Sequence, residues 1–298
     1  MRKNLILKID VDTERGTRIG VNNLLALFNK LNIPATFLFS LGPDNTGRAL
    51  KRVFRPGFLT KVSRTSVVST YGVKTLLNGV LWPGPRIAKK HAPLLRRTRD
   101  AGHEVGIHSY DHCYWQDYVH KISKKRVFEE FQKARDVFKC VFGFEARSAG
   151  SAGWQANANS LAAYDHANLL YGSDCRGSTP FIPKINGEVF HTPQFPTTLP
   201  TLDELLGRPE YPIESLSDLL LDQLSEKAPN VFTMHAELEG MRYLEWFESF
   251  LRKALSQGVE FERLEDVAKA TIAEQELPVC EFIQSTVDGR SGELAVQQ

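Results

Sequence analysis

Acidic side chains are missing from a long part of this 298-residue chain: none occurs between Asp44 and Asp100. Residues 45–99 instead hold thirteen Lys and Arg, so the formal net charge of +2 combines a strongly basic block with a remainder at −11 (24 basic against 35 acidic residues). Cysteine is also scarce. Cys113, Cys140, Cys175 and Cys280 are scattered with no CxxC pair, which offers neither a disulfide framework nor a thiolate metal cluster and fits a reducing compartment. No apolar run approaches the roughly 18 residues that a membrane-spanning helix needs. The N-terminus enters a strand pattern at once, without the charged and apolar regions of a secretory leader. Internal repeats and low-complexity segments are absent as well. What is present, at 42% hydrophobic residues, is enough apolar material for one large globular core.

Strand-like and helix-like segments alternate. Asn4 to Val11, Ala35 to Leu41, Glu104 to Ile107, Phe144 to Ala149, Leu169 to Gly172, Val231 to Met234 and Val259 to Phe261 read as strands. Between them, Val21 to Leu31, Arg86 to Ala101, Leu244 to Gln257 and Leu264 to Ala273 have helical spacing. So does the stretch after Ser123, whose apolar stripe (Val127, Phe128, Phe131, Ala134, Val137, Phe138, Val141) ends at Gly143. Such alternation predicts an α/β fold, a (β/α) barrel of about seven parallel strands over residues 1–275. A basic amphipathic insertion interrupts it at 45–85, punctuated by Pro56-Gly57 and Pro83-Gly84-Pro85. Residues 276–298 are polar and are expected to form a loosely held tail.

Polar residues collect at the predicted C-terminal ends of strands, where the chemistry of such barrels is placed. Asp10 and Asp12 are two apart, so on a strand they face the same side, and two neighbouring carboxylates repel unless a cation lies between them. The same pair could instead be a turn or a helix cap at a strand exit. His108 and His112 in H-S-Y-D-H are four apart; on a helix both rings would stack on one face and could share an ion. An HxxxH pair can equally be structural. One carboxylate with two imidazoles would leave an open position for water, the pattern of a catalytic divalent-metal site. Asp10 could then accept a proton, and His235, ending V-F-T-M-H, could deliver one to a leaving amine. Asp174 and Arg147 could tune charge or hold the base, while Glu237 and Glu239 in H-A-E-L-E-G are placed to meet a sugar hydroxyl.

Taken together, I-D-V-D (9–12), H-S-Y-D-H (108–112), Arg147 ahead of G-S-A-G-W, Asp174 and His235 resemble the ordered motifs of the polysaccharide deacetylase (NodB-like) superfamily. That resemblance implies a distorted (β/α) barrel, with Asp12, His108 and His112 as metal ligands, Asp10 as base and His235 as acid. The third motif departs from the pattern: the family usually has Arg-x-Pro-aromatic-Gly, whereas Arg147 is followed by S-A-G-S-A-G-W. D-V-D-T-x-R-G-T-R, G-P-D-N-T-G-R, L-W-P-G, S-D-C-R-G and P-T-T-L-P-T-L-D-E resemble one branch, the deformylases of undecaprenyl-phosphate-linked 4-formamido-arabinose in polymyxin resistance. The resemblance spans residues 4 to 275. It implies Trp154 and Arg176 as further substrate contacts, one divalent ion (zinc, cobalt, manganese or nickel), and peripheral work at the cytoplasmic face of the inner membrane without a nucleic-acid partner.

The basic insertion suits that substrate class. Arg52, Arg55, Lys61, Arg64 and Trp82 mix cations with apolar side chains, as an element docking on anionic lipid would. Two other readings of the chain are a deacetylase of another N-acylated amino sugar and a catalytically silent barrel that binds anionic lipid.

Overall fold

The computed structural model describes residues 3–49 and 72–298. The chain runs β1 (Asn4–Val11), a widened helical segment (Gly16–Val21), α1 (Asn22–Leu31), β2 (Thr36–Ser40), α2 (Ile87–Asp100), β3 (Glu104–Ser109), α3 (His112–Tyr118), α4 (Lys124–Phe142), β4 (Ser148–Ala149), α5 (Ala158–Ala167) and β5 (Tyr171–Gly172). It continues through β6 (Ile182–Ile185), β7 (Glu188–Val189), α6 (Leu216–Asp222), β8 (Val231–His235), α7 (Leu244–Ser256), β9 (Glu260–Glu262), α8 (Leu264–Glu274), β10 (Val279–Thr286) and β11 (Glu293–Gln297). One-turn helices lie at Val73–Leu77 and Leu202–Leu205.

The main sheet has the order β5-β4-β3-β2-β1-β8, all parallel, with β9 beside the first residues of β1. The predicted parallel α/β architecture is therefore present as a half-barrel. Its two ends are joined not by a strand but by the irregular segment 193–199. Gly172 N donates to Pro193 O at 2.9 Å and Phe195 N to Gly172 O at 2.8 Å on the β5 side; Thr198 N donates to Val231 O at 3.1 Å on the β8 side.

Alternation along β1 sorts its side chains. Leu5, Leu7, Ile9 and Val11 face outward into the large core shared with α1, α4 and α7, whereas Ile6 packs with Tyr171 and Phe195. Lys8 and Asp10 share the face of Ile6 and so point into the barrel. The helices follow from their sequences. Ser123 caps α4 by accepting from Arg126 N at 3.4 Å, and Gly143 ends it at φ 83°.

Three expectations need correction. The presumed tail is ordered: β10 and β11 form an antiparallel hairpin, and β10 pairs with β6 in a second sheet, order β11-β10-β6-β7. Its strands were obscured because β10 is mostly half-exposed, which mutes the alternation that marks a strand. The strand read at Phe144 to Ala149 contracts to Ser148–Ala149, and the one read at Leu169 to Gly172 contracts to Tyr171–Gly172.

Candidate active site

β1 delivers the acids. Asp10 is paired with His235 across the β1–β8 register, so the two side chains emerge on the same face of the sheet. The exits of both strands are locked together by a close backbone approach. A Cβ on Gly20 would lie 2.0 Å from Ala236 O, so only glycine lets the helical segment after Asp12 press on the loop after His235. Glu237 completes the lock from below: its Oε1 accepts from Asp12 N at 3.2 Å, Thr13 N at 2.9 Å and Thr13 Oγ1 at 2.7 Å. Burial, with Asp12 nearby, raises the Glu237 carboxyl well above its usual range.

The histidines do not lie on one helical face. His108 is still on β3, and His112 opens α3. The strand-to-helix turn brings their ring centres to 5.2 Å. Asp111 caps that helix by accepting from Tyr114 N at 2.9 Å, and Asn45 Nδ2 donates to its other oxygen at 2.6 Å. The ring of His112 is thereby aimed at Asp12.

Asp12 Oδ1 lies 3.3 Å from His108 Nε2 and 3.4 Å from His112 Nε2. Metal arms of about 2.0–2.1 Å at tetrahedral angles separate two donor atoms by about 3.3–3.4 Å, so this spacing fits one ion. One ligand atom from each of the three residues lies within 4.8 Å of the others. Among the described residues, Asp12 Oδ1 is buried without a hydrogen bond, a cost that a cation removes; on the other side of the His108 ring, Nδ1 faces Asp10 Oδ1 at 3.8 Å. The electrostatics agree. Burial works to raise Asp12, but the imidazoles of His112, His108 and His235 hold its carboxyl well below the usual range. Burial disfavours a charged His108, yet Asp10 and Asp12 outweigh it and raise its proton affinity. Positive charge is stabilised between these groups.

The cation beside Asp10 is Lys8. It is fully buried, and its Nζ donates to Asp10 Oδ2 at 3.2 Å. The sequence reading missed it, although a lone lysine in L-I-L-K-I-D, two residues before Asp10, was the available signal. Arg147, expected near the base, instead sits at the start of β4, at the opposite mouth of the barrel. Its side chain is 53% exposed and pairs with Glu265 at 3.1 Å.

Asp174 is fully buried as a wall bracket: it accepts from Ser151 N and Oγ at 2.6 Å each, Tyr164 Oη at 3.0 Å and Gln194 Nε2 at 3.0 Å. Trp154 and Arg176 are also wall residues. Trp154 Nε1 donates to Thr197 Oγ1 at 3.2 Å, and Arg176 pairs with Glu204 at 2.6 Å. Glu237 and Glu239 are buried rather than placed on a rim. Arg52, Arg55, Lys61 and Arg64 lie outside the described residues. Trp82 is 44% exposed beside Val80 and Leu81.

Glu239 carries a pH prediction. Its Oε2 accepts from His235 N at 2.9 Å, and burial pushes its carboxyl up to about 8. With an ordinary value of 4.5, the folded state prefers the protonated acid. This contribution is complete below about pH 4.5 and is lost as pH rises through about 8. Glu239→Gln keeps the acceptor without the charge. It should flatten the fall in melting temperature between pH 5 and 8.5 and melt higher than the parent at pH 8.5. Parallel pH curves for the two proteins would refute the assignment.

A half-barrel with an Asp-His-His cluster at its strand exits defines the class. The sequence profile of the family described as polysaccharide deacetylase matches residues 10–171. The chain belongs to the polysaccharide deacetylase family and is a hydrolase acting on amide bonds. Two curated relatives narrow the comparison. A protein of Shewanella sediminis (strain HAW-EB3), named "Probable 4-deoxy-4-formamido-L-arabinose-phosphoundecaprenol deformylase ArnD", is 36% identical over 98% of this chain and 93% of its own. A protein of the same name from Wigglesworthia glossinidia brevipalpis is 33% identical over 95% of this chain and 98% of its own. The fold matches the crystal structure of a Mycobacterium smegmatis protein assigned to the polysaccharide deacetylases, at TM-score 0.63 and 14% identity over 93% of both chains. It also matches peptidoglycan deacetylase PdaC from Bacillus subtilis, at TM-score 0.52 and 12% identity over 90% of this chain and 92% of that one.

Proposed function

We propose that this chain removes the formyl group from 4-formamido-arabinose carried on undecaprenyl phosphate, releasing formate and a free amine as a step in lipid A modification. The observation that carries the reading is the meeting of Asp12, His108 and His112 at one point, with Asp10 and His235 register partners beside it. The near-full-length likeness to relatives named for this reaction supplies the substrate class.

Asp12, His108 and His112 would hold a divalent ion of the zinc, cobalt, manganese or nickel group. Such an ion, when bound, lowers the pKa of water and polarises a carbonyl. Asp10, kept in place by Lys8, takes the proton of the attacking water. His235, on the neighbouring strand, gives a proton to the departing nitrogen, because an amide anion is too poor a leaving group. Water adds to the formyl carbon, the C–N bond breaks, and the products are formate and amine. The direct test is incubation of the metal-loaded protein with the lipid-linked formamido sugar and enzymatic detection of formate. Turnover of the acetyl analogue alone would assign the chain to the deacetylases of other amino sugars.

No described helix is long and apolar enough to cross a membrane. We propose peripheral docking on anionic lipid at the cytoplasmic face. The acid-free run 45–99 and the exposed Val80, Leu81 and Trp82 support it. Charge reversal of Arg52, Arg55, Lys61 and Arg64 to Glu should weaken partitioning onto phosphatidylglycerol liposomes by about a thousandfold or more, at about 1 kcal/mol for each of the four basic residues removed from the surface. Undiminished flotation would count against this docking mode.

A further inference from the structure

The proposed reaction uses the exits of β1, β3 and β8. It leaves unused the C-terminal hairpin, which lies beyond residues 10–171 matched by the family profile. Yet this hairpin is zipped onto both loops that leave β4 and β5 toward the site. On the β4 side, Gln155 Nε2 donates to Glu293 O at 2.8 Å and Gln284 Nε2 to Ala156 O at 2.9 Å. On the β5 side, Arg176 N donates to Ala295 O at 2.9 Å and Gln297 N to Arg176 O at 2.8 Å.

The turn of the hairpin carries Arg290 inward. Its tip is pressed tightly: Gly289 has φ +79°, and a Cβ there would lie 2.6 Å from Glu204 O. The Arg290 side chain is 12% exposed and pairs with Glu204 at 2.8 Å and Asp203 at 3.0 Å. Its guanidinium carbon lies 4.4 Å from the centre of the Trp154 ring, and Lys8 Nζ lies 5.8 Å from the same ring. Trp154 has φ 53°, a left-handed conformation that a bulky side chain adopts only when its surroundings hold it there. A cation over an indole face is a directed attraction. The indole is thus shared among the cation that touches Asp10, Arg176 with its guanidinium carbon at 5.7 Å, and, closest of the three, the cation brought by the C-terminal hairpin.

We infer that Arg290 is a positioning residue for the hydrolysis: by holding Trp154 against Lys8, it fixes the Lys8–Asp10 pair. The inference deepens the proposed reaction and rests on it for its kinetic test. Full-length, metal-loaded Arg290→Gln should lower kcat by about tenfold, as a small misplacement of a reacting group does. Its KM should stay within about twofold and its bound metal should stay stoichiometric. Arg290→Lys keeps a cation and should retain about half the rate or more. Unchanged kcat in Arg290→Gln overturns the inference; so does a rise in KM alone, which would make Arg290 a substrate contact. A second readout needs no turnover. In urea unfolding, Arg290→Gln and Trp154→Phe should be non-additive, and additive losses overturn the link through the ring. A parent protein that releases no formate sinks the proposed reaction, while the unfolding cycle still decides whether Arg290 holds the indole.

Discussion

Asp10→Asn should release formate about a thousandfold more slowly than the parent, within the span expected for loss of a general base, while keeping its metal. The two halves of this expectation come from different atoms. The proposed ligand set is Asp12, His108 and His112, and Asn at position 10 leaves it whole. The amide cannot take a proton, so turnover fails. A structural cost accompanies the kinetic one. Lys8 is fully buried and has Asp10 as its carboxylate partner at 3.2 Å. Stranding one member of a buried pair costs roughly 3–5 kcal/mol, so the melting temperature should fall by several degrees. Lys8→Met combined with Asp10→Asn should recover part of that stability without recovering any rate. Formate assays, elemental analysis and thermal melts on the three proteins separate these effects. A near-normal rate in Asp10→Asn would remove Asp10 from the reaction.

His108→Ala should lose both metal and turnover. The ring is 1% exposed, and its Nε2 lies 3.3 Å from Asp12 Oδ1. Loss of a group that merely supports a ligand typically costs 10–100-fold in metal affinity, so loss of the ligand itself should cost more than about a hundredfold. After gel filtration in metal-free buffer, the variant should contain no stoichiometric divalent ion, and the parent should contain one per chain. Chelator should abolish formate release by the parent and readdition of the metal should restore it. Full occupancy in His108→Ala would mean that the ion is held elsewhere and would dissolve the ligand assignment. Comparing the two variants is decisive, since one separates metal from turnover and the other removes both.

The long apolar strands were legible because burial on both faces leaves an uninterrupted run, as in Thr36–Ser40. The same holds for the order of the site residues, because strand exits are marked by the first polar side chains after such runs. What was not legible depended on partners distant in sequence. Arg147 meets its partner Glu265 only in the folded chain, whereas Lys8 stands two residues before Asp10 and shares its strand face, a placement that alternation alone gives. Glu237 and Glu239 look like loop residues until the close packing of Gly20 on Ala236 draws their loop inward. The rings of His108 and His112 meet, as their spacing suggested, but through a strand-to-helix turn rather than one helical face. The second sheet escaped notice because β10 is mostly half-exposed, which mutes the alternation that reveals a strand.

The strap formed by residues 193–199 has a consequence for solubility. An open parallel sheet normally ends in two rows of free amides and carbonyls, a template for pairing with another molecule. Here one irregular segment bonds to Gly172 at one end and to Val231 at the other. Six strands thereby gain the protection that a complete cylinder gives eight. Substitutions that loosen the strap, with proline at Phe195 the simplest, are expected to promote self-association and, because Gln194 holds Asp174 and Thr197 holds Trp154, to loosen the wall of the site with it.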